Sequence, residues 1–499
     1  MSAMTDRYDV CIVGAGISGL NALFVASQYL ARDQRVALVD RRFGAGGMWL
    51  GTYDYVRLHQ PHPFFTAGNI AWTLDKERVY LADKEEVLDH LRHCLEVVKR
   101  CIRVTELFGC EFESAEEEGG VVRITCSSAE SGPVELEADR LIKAYGQEIE
   151  TNAPLELSSA HARSVSPDQF DVRGAEMSSS DAPVWIVGGG KTGMDTAHTL
   201  ISMQPGREVN LIAGPGTFFM SRDRLFPSGV RRWYTGKLIS AAFREMGRRF
   251  DGTNENDAVD WFRDNYGVWL TPETGNFMGA ILSESENETI SAGLNEIVMD
   301  YLVDVVDRNG GAEVELRSGA RMPFEPGSWI INCTGSMMRG ERSYEPYVSA
   351  GGRILSIQNR SMTIPFPAGG SSAYFLTHLL FLGRLTDLPL YTLDLEDLRR
   401  KAPQYVMAAA LVPLQMYNLS LIAEAVPARQ FMKVVSRNGL DLDGWYPFPR
   451  RLWASAGFML THKRDREYHR RSLDKVAERF GFRCGPVVGA DRARPRRSA

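Results

Sequence analysis

At 499 residues the chain exceeds one ordinary domain, and at about 100–200 residues per domain it predicts two or three packed units. Hydrophobic residues at 44% and charged residues at 24% are those of a globular protein and exclude a disordered or fibrous class. The formal net charge of −6 excludes the clustered Lys and Arg of a nucleic-acid surface.

Met1 to Arg7 is polar and lacks the apolar core of a secretory leader. The seven cysteines, at 11, 94, 101, 110, 126, 333 and 484, contain no C-x-x-C pair, which removes the common zinc spacing and a C-x-x-C redox centre and points to a reduced, cytoplasmic setting. Tyr8 to Val13 is a short β-branched apolar run that predicts a buried strand. It meets the turn Gly14-Ala15-Gly16-Ile17-Ser18-Gly19. Leu20, Leu23, Phe24 and Leu30 then recur at helical spacing, and Val36 to Val39 predicts a second strand ending at Asp40, which completes a βαβ unit. His90 and His93 fall on a polar helical stretch with no third ligand nearby, so no metal site is expected. Arg140 to Gly146 predicts a strand ending in glycine, and the Ser-rich residues 177–182 predict a linker.

A second βαβ unit follows. Val184 to Val187 runs into Gly188-Gly189-Gly190-Lys191-Thr192-Gly193, then a helical stretch and the strand Val209 to Ile212. Trp329 to Gly335 is a further strand into glycine, and from about Leu390 the pattern is helical. Tyr405 to Ala423 carries no charged side chain and is about long enough to span a bilayer. Pro413, Gln415, Asn418 and Ser420 oppose a stable span, so a buried helix pair broken at Pro413 is predicted, with interfacial membrane contact as the alternative. Arg492, Arg494, Arg496 and Arg497 form a loose solvated tail.

Glycine at 14, 16 and 19 lets a pyrophosphate approach the backbone and the helix N-terminal N–H groups. The same pattern requires an acid about 20 residues on, at the end of the second strand, for the ribose hydroxyls. Asp40 stands there, with Arg41 beside it. The second turn offers Gly188, Gly190, Lys191, Thr192 and Gly193, but Ala213-Gly214-Pro215 replaces the acid. A carboxylate there would repel a 2′-phosphate, so its lack, with Arg222 and Arg224 shortly downstream, favours NADPH over NADH. Surface ion pairs are the alternative for these two arginines. The expected fold is α/β: two Rossmann-like dinucleotide-binding domains, for FAD and NADPH, with a helical C-terminal region. Residues 1–150 and 330–400 would bind FAD, 181–329 would bind NAD(P)H and carry an insertion, and 401–499 would be helical.

Two such units, with Gly46-Gly47-Met48-Trp49 and then Tyr53-Asp54-Tyr55-Val56-Arg57-Leu58-His59-Gln60-Pro61 after the first, resemble the flavin-dependent monooxygenase superfamily, of flavin-containing, Baeyer–Villiger and N-hydroxylating type. The resemblance spans roughly residues 8 to 385. It implies near-flavin roles for Gly47, Met48, Trp49 and Arg57 to Gln60. It also implies inter-domain crossings at Ala144-Tyr145-Gly146 and Cys333-Thr334-Gly335, variants of an A-T-G motif that nominate Gly146, Thr334 and Gly335 as cofactor-binding. A fingerprint before the second turn aligns His161 with its histidine, but Leu155, Leu157 and Val165 stand at its other positions. The chain therefore resembles a divergent member.

The resemblance implies hydride transfer from NADPH to FAD, capture of O₂ as a C4a-peroxide, and insertion of one oxygen atom into a small organic substrate. Arg57, His59 and Gln60 are the candidate catalytic hydrogen-bond donors, a structural turn held by Pro61 and Pro63 being the other reading. His59 would bias the protonation of the peroxide if it titrates near neutrality. Phe375 to Leu382 and Met407 to Tyr417 could line a substrate pocket between the domains, although core packing accounts for most of these positions. A flavoprotein oxidoreductase using NAD(P)H and a non-oxygen acceptor is the second hypothesis, and a protein holding FAD as a structural or sensing ligand the third.

Overall fold

The computed structural model describes residues 6–130, 132–146, 151–308, 311–335, 342–366 and 369–487; the basic tail at 492–497 lies outside them. The chain begins with β1 (Asp6–Val13), whose residues from Val10 onward are all buried, and passes through the first turn into α1 (Ile17–Ala26) and β2 (Arg35–Asp40). α2 (Lys84–Lys99) opens with a capping box between Asp83 and Glu86 and leads to β3 (Arg103–Phe108). An antiparallel meander of β4 (Cys110–Glu118), β5 (Val121–Ser128) and β6 (Gly132–Ala144) brings β6 back beside β1, in parallel. The strand order is β3-β2-β1-β6-β5-β4.

The second unit starts with β7 (Arg163–Val165), the short helix α3 (Ala175–Ser178), β8 (Val184–Val187), α4 (Lys191–Met203) and β9 (Val209–Ile212). The expected linker at 177–182 is thus partly helical. Met177 is fully buried, and the Arg207 guanidinium ties down the carbonyls of Met177 and Ala182. An insertion follows: β10 (Thr217–Ser221), α5 (Arg222–Leu225), α6 (Arg231–Tyr234), α7 (Ile239–Arg249), α8 (Glu255–Tyr266), β11 (Gly267–Trp269), β12 (Asn276–Leu282) and α9 (Glu284–Gly293). The unit closes with β13 (Glu296–Val298), a three-stranded antiparallel sheet of β14 (Leu302–Arg308), β15 (Gly311–Leu316) and β16 (Arg321–Phe324), and then β17 (Trp329–Asn332).

The second sheet is parallel throughout, in the order β13-β9-β8-β17-β7. β17 therefore belongs to it, whereas the sequence placed residues from 330 onward in the first unit. An apolar strand ending in glycine fits either sheet, and only its partners decide. The chain rejoins the first sheet at β18 (Ile354–Ile357), which pairs in parallel with β6. α10 (Gly370–Phe381) then packs on α1.

The C-terminal region contains β19 (Tyr391–Leu393), α11 (Leu395–Lys401), α12 (Gln404–Ala425), α13 (Ala428–Ser436), α14 (Phe448–Phe480) and β20 (Cys484–Pro486), which pairs with β19. α12 is one continuous helix, not the broken pair expected from Pro413. The missing N–H removes one helical hydrogen bond, but α7, α8, α14 and β12 surround the helix and hold it through the proline. Most of its apolar length is buried inside the protein. The same hydrophobic core runs from Val10 and Leu38 in the first unit to Phe262 and Leu414, so the helical region is packed onto the sheet rather than tethered to it.

Candidate functional site

Two of the three glycines in the first turn serve the fold. Gly14 has φ +105°, and a Cβ there would lie 2.6 Å from the Ala144 carbonyl oxygen; a Cβ at Gly19 would lie 1.7 Å from the Gly14 oxygen. Gly16 and Gly47 instead face each other across the turn, a Cβ on Gly16 falling 3.1 Å from the Gly47 Cα. Asp40 accepts from Ala15 N at 2.6 Å and from Arg42 N at 2.8 Å. A carboxylate has about four lone-pair sites, so Asp40 fastens the turn and keeps acceptor capacity for a hydroxyl. Buried Ser18 lies against Gly146 and Gly369.

The second turn repeats this construction. Gly188 has φ +119° against the Cys333 carbonyl, and a Cβ at Gly193 would lie 2.0 Å from the Gly188 oxygen, while Gly190 faces open space. Lys191 forms an ion pair with Asp195 one helical turn on. At the end of β9, Gly214 N donates to the Asp300 carbonyl at 3.0 Å. The Asp300 carboxylate is held by Tyr301 N at 2.7 Å and Ser318 N at 3.2 Å, and the Arg317 guanidinium lies 3.9 Å from the Tyr301 ring centroid. An acid, Asp300 after the neighbouring strand β13, thus stands beside the end of β9, with Arg317 close by. Sequence spacing examines only the end of the second strand in each unit, so it missed both.

Arg222 requires a correction. Its guanidinium is engaged by Glu286 at 3.0 Å and donates to the His59 carbonyl at 3.0 Å, and Arg224 pairs with Glu284 at 3.3 Å. Although Glu286 is largely buried, Arg222 and Lys191 hold its carboxyl down at about 2. These arginines join the insertion together, which is the ion-pair alternative.

The segment after Gly47 clasps the two units. Tyr53 donates to Asp195 at 2.8 Å, Tyr55 and Thr196 hydroxyls meet at 2.6 Å, and the two rings lie 4.6 Å apart. At the second crossing Thr334 donates to Asn332 at 2.7 Å, and Asn152 donates to the Thr334 carbonyl at 2.7 Å. The Thr334 hydroxyl is thereby used on its own turn, beside the open space at Gly335.

His59 sits where this clasp meets β12. Its Nδ1 accepts from Ile281 N at 3.0 Å, which leaves the proton of the neutral ring on Nε2. Burial, reinforced by Lys191 and Arg222, pushes its pKa down to about 3. The expectation that it titrates near neutrality is therefore corrected: it is a fixed neutral donor. Gln60 is buried, with its Oε1 lacking a partner among the described residues. Arg57 is exposed and bridges to Asp83 through the backbone.

One cavity of about 1500 Å³ joins these pieces. Gly14 to Ser18 (Ala15 excepted), Asp40, Arg41, Gly47 to Trp49, Arg57 to Gln60 and Gly146 line one side. Gly188 to Thr192, Asp300, Arg317, Thr334 and Gly335 line another. Gly19, Gly193 and Arg222 lie outside the lining, as their structural roles require.

Residues 8–246 match the family described as pyridine nucleotide-disulphide oxidoreductase. An uncharacterized protein of Mycobacterium tuberculosis is 33% identical over 69 residues, 14% of this chain and only 12% of its own length. A steroid monooxygenase bound to NADP shares the fold, with TM-score 0.51 and 14% identity over 91% of this chain and 98% of its own. A bacillithiol disulfide reductase from Staphylococcus aureus has TM-score 0.43 and 12% identity over 77% of this chain and 99% of its own. The family match and the two-unit fold support use of a flavin and a nicotinamide dinucleotide.

The residues around the cavity fit such groups. Around the cavity, Gln60 Oε1, Asn152 Oδ1 and Asn276 Oδ1 are buried without partners among the described residues, and buried polar atoms of this kind call for a polar ligand or water. The cavity continues to an apolar wall of Phe243 from the insertion with Phe366, Met416, Leu419, Ile422 and Phe431. Of the stretches expected to line a pocket, Phe375, Gln415 and Met416 do so, while Leu376, Leu379 and Met407 are buried core. Asp443, also in this wall, was not anticipated. Burial and the neighbouring Asp441 push its carboxyl up to about 7, against hydrogen bonds from Ser240.

His161 lies on an exposed turn, its carbonyl accepting from Gly327 N at 2.8 Å, outside the cavity lining. His90 is buried and stacked on Trp72, the ring centroids 3.9 Å apart. No group of residues fit to hold a metal occurs among the described residues.

Proposed function

We propose that this chain is an FAD-dependent, NADPH-using monooxygenase that places one oxygen atom of O₂ on an apolar organic substrate. The observation that carries the reading is the single cavity that runs from both glycine turns to an apolar wall. Its volume of about 1500 Å³ exceeds the ~300–1,000 Å³ of an ordinary small-ligand pocket, as a site for more than one ligand requires.

The first turn, Asp40, Arg41, Gly47 to Trp49 and Gly146 would hold FAD. The second turn with Lys191, Thr192 and Gly335 would hold NADPH, and Arg317, whose charge acts on Asp300, would take the 2′-phosphate in place of Arg222 and offset its repulsion by that carboxylate. When bound, these groups supply hydride transfer and activation of O₂. The chain supplies the rest. Tyr53 and Tyr55 keep the two cofactor units in register through Asp195 and Thr196. His59 holds a proton on Nε2 whatever the pH near neutrality. The apolar wall excludes water from the reacting end.

The thiols weigh against a dithiol relay to a non-oxygen acceptor. Burial pushes Cys126 and Cys333 each up to about 12, and a protonated thiol is a poor nucleophile. The test is anaerobic: NADPH should bleach the absorbance of the FAD-loaded chain, and O₂ should restore it. A flavin that NADPH does not reduce would overturn the reading in favour of a structural or sensing role.

A further inference from the structure

The first half of α14 has no fully buried residue, its inward stripe of Arg450, Ala454, Gly457, Phe458 and Thr461 being only half-buried. Over its 33 residues the buried positions are His462, His469, Ser472, Leu473 and Val476, so the stretch from Phe448 to Thr461 fully buries none of its side chains. Ordinary exposed helices are polar, yet this one shows Phe448, Leu452, Trp453, Met459 and Leu460, with Trp453 at 84% and Leu460 at 86% exposure. Residues 448, 452 and 459 share one stripe at helical spacing, and 453 and 460 lie beside it.

Two other segments extend this surface. α13 buries only Val434 and shows Met432 at 64%. The α6 region shows Val230, Trp233 and Tyr234, and Arg450 of α14 fixes it in place by donating to the carbonyls of Arg232 and Gly236, both at 2.9 Å. Met432, Phe448, Leu452 and Met459 are at once exposed and part of the cavity lining. The apolar surface is therefore the rim of the cavity mouth.

The acids that flank these rim segments are engaged: Glu424 with Lys463 and Arg466, Asp441 with Arg451, Asp443 with Ser240, and Asp465 with Arg248. Residues 228–237, 425–440 and 444–464 contain no Asp or Glu, in a chain whose net charge is −6. Arg231, Arg232, Arg429, Lys433, Arg437 and Arg450 stand on these segments. Lys237, Arg451 and Lys463, also there, pair with Glu245, Asp441 and Glu424 from elsewhere. Exposed aromatic and aliphatic side chains among cations are the composition of a surface that sinks into an anionic lipid interface. An apolar patch of this extent has a partner, and the absence of acids on these segments selects an anionic one.

We propose that the rim formed by α6, α13 and the first half of α14 docks on an anionic membrane surface, so that the cavity opens onto the lipid phase. This differs from contact through α12, which lies inside the protein, and it does not depend on the redox chemistry.

The experiment is sedimentation of the full chain with vesicles. It should bind phosphatidylcholine mixed with phosphatidylglycerol, bind phosphatidylcholine alone at least about tenfold more weakly, and lose binding as salt rises. The double variant Trp453→Glu and Leu460→Glu, and separately Arg429→Glu with Lys433→Glu, should each weaken binding at least about tenfold. Their thermal midpoints should match the parent, which separates a lost surface from a lost fold. Failure to bind either vesicle would overturn the proposal. So would a dimer in solution that Trp453→Glu and Leu460→Glu dissociates while vesicles have no effect, because a second copy would then cover the rim.

Discussion

His59 shows how a residue legible as a site candidate acquires its role only from its neighbours. Its position beside Arg57 and Gln60 was readable, but its titration was not, because the burial and the cations that depress it come from α4 and α5, far along the chain. The sign follows from the direction of the shift. A histidine near 6.5 when unfolded and about 3 when folded is neutral in the native state above pH 4, and its contribution to stability is lost as pH falls below 6.5. Activity between pH 6.5 and 8 should therefore be insensitive to His59 protonation. His59→Ala should lower the ratio of product formed to NADPH consumed by about tenfold, the worth of one hydrogen bond of ~1.5 kcal/mol, with the same factor at both ends of that range. A loss confined to one end would show that the imidazole titrates in the folded enzyme.

At the scale of elements, both βαβ units were readable because each packs three signals into some thirty residues: an apolar strand, a glycine turn and a run of apolar residues at helical spacing. What escaped was everything set by partners at a distance. β17 ends in glycine like a first-unit strand, but it pairs with β8. Pro413 reads as a helix break, but surrounding helices carry α12 through it. Asp300, after β13, stands at the end of β9 where the sequence has no acid, a position no spacing rule inspects. The two turns also make a matched prediction. A Cβ at Gly193 would fall 2.0 Å from the Gly188 oxygen without touching the first unit. Gly193→Ala should therefore cost ~1–3 kcal/mol by overpacking and abolish saturation by NADPH, while FAD still copurifies in full. Loss of both cofactors together would show that the units are not separable sites.

At the scale of the molecule, two cofactor units and a helical C-terminal wall enclose one cavity, with the Tyr53 and Tyr55 clasp between the units. Composition and glycine spacing made the α/β class and the two dinucleotide units legible. The enclosing wall was not, since its apolar positions carry no motif and follow ordinary core composition. The route from NADPH through FAD to a substrate oxygen is the central claim, and isotope labelling tests it most directly. The FAD-loaded full chain, given NADPH, ¹⁸O₂ and a panel of apolar sulfides and ketones, should yield a product carrying one ¹⁸O atom per NADPH oxidised. Oxidation of NADPH in which no label enters any product, and in which a dye or disulfide acceptor alone sustains turnover, would contradict it.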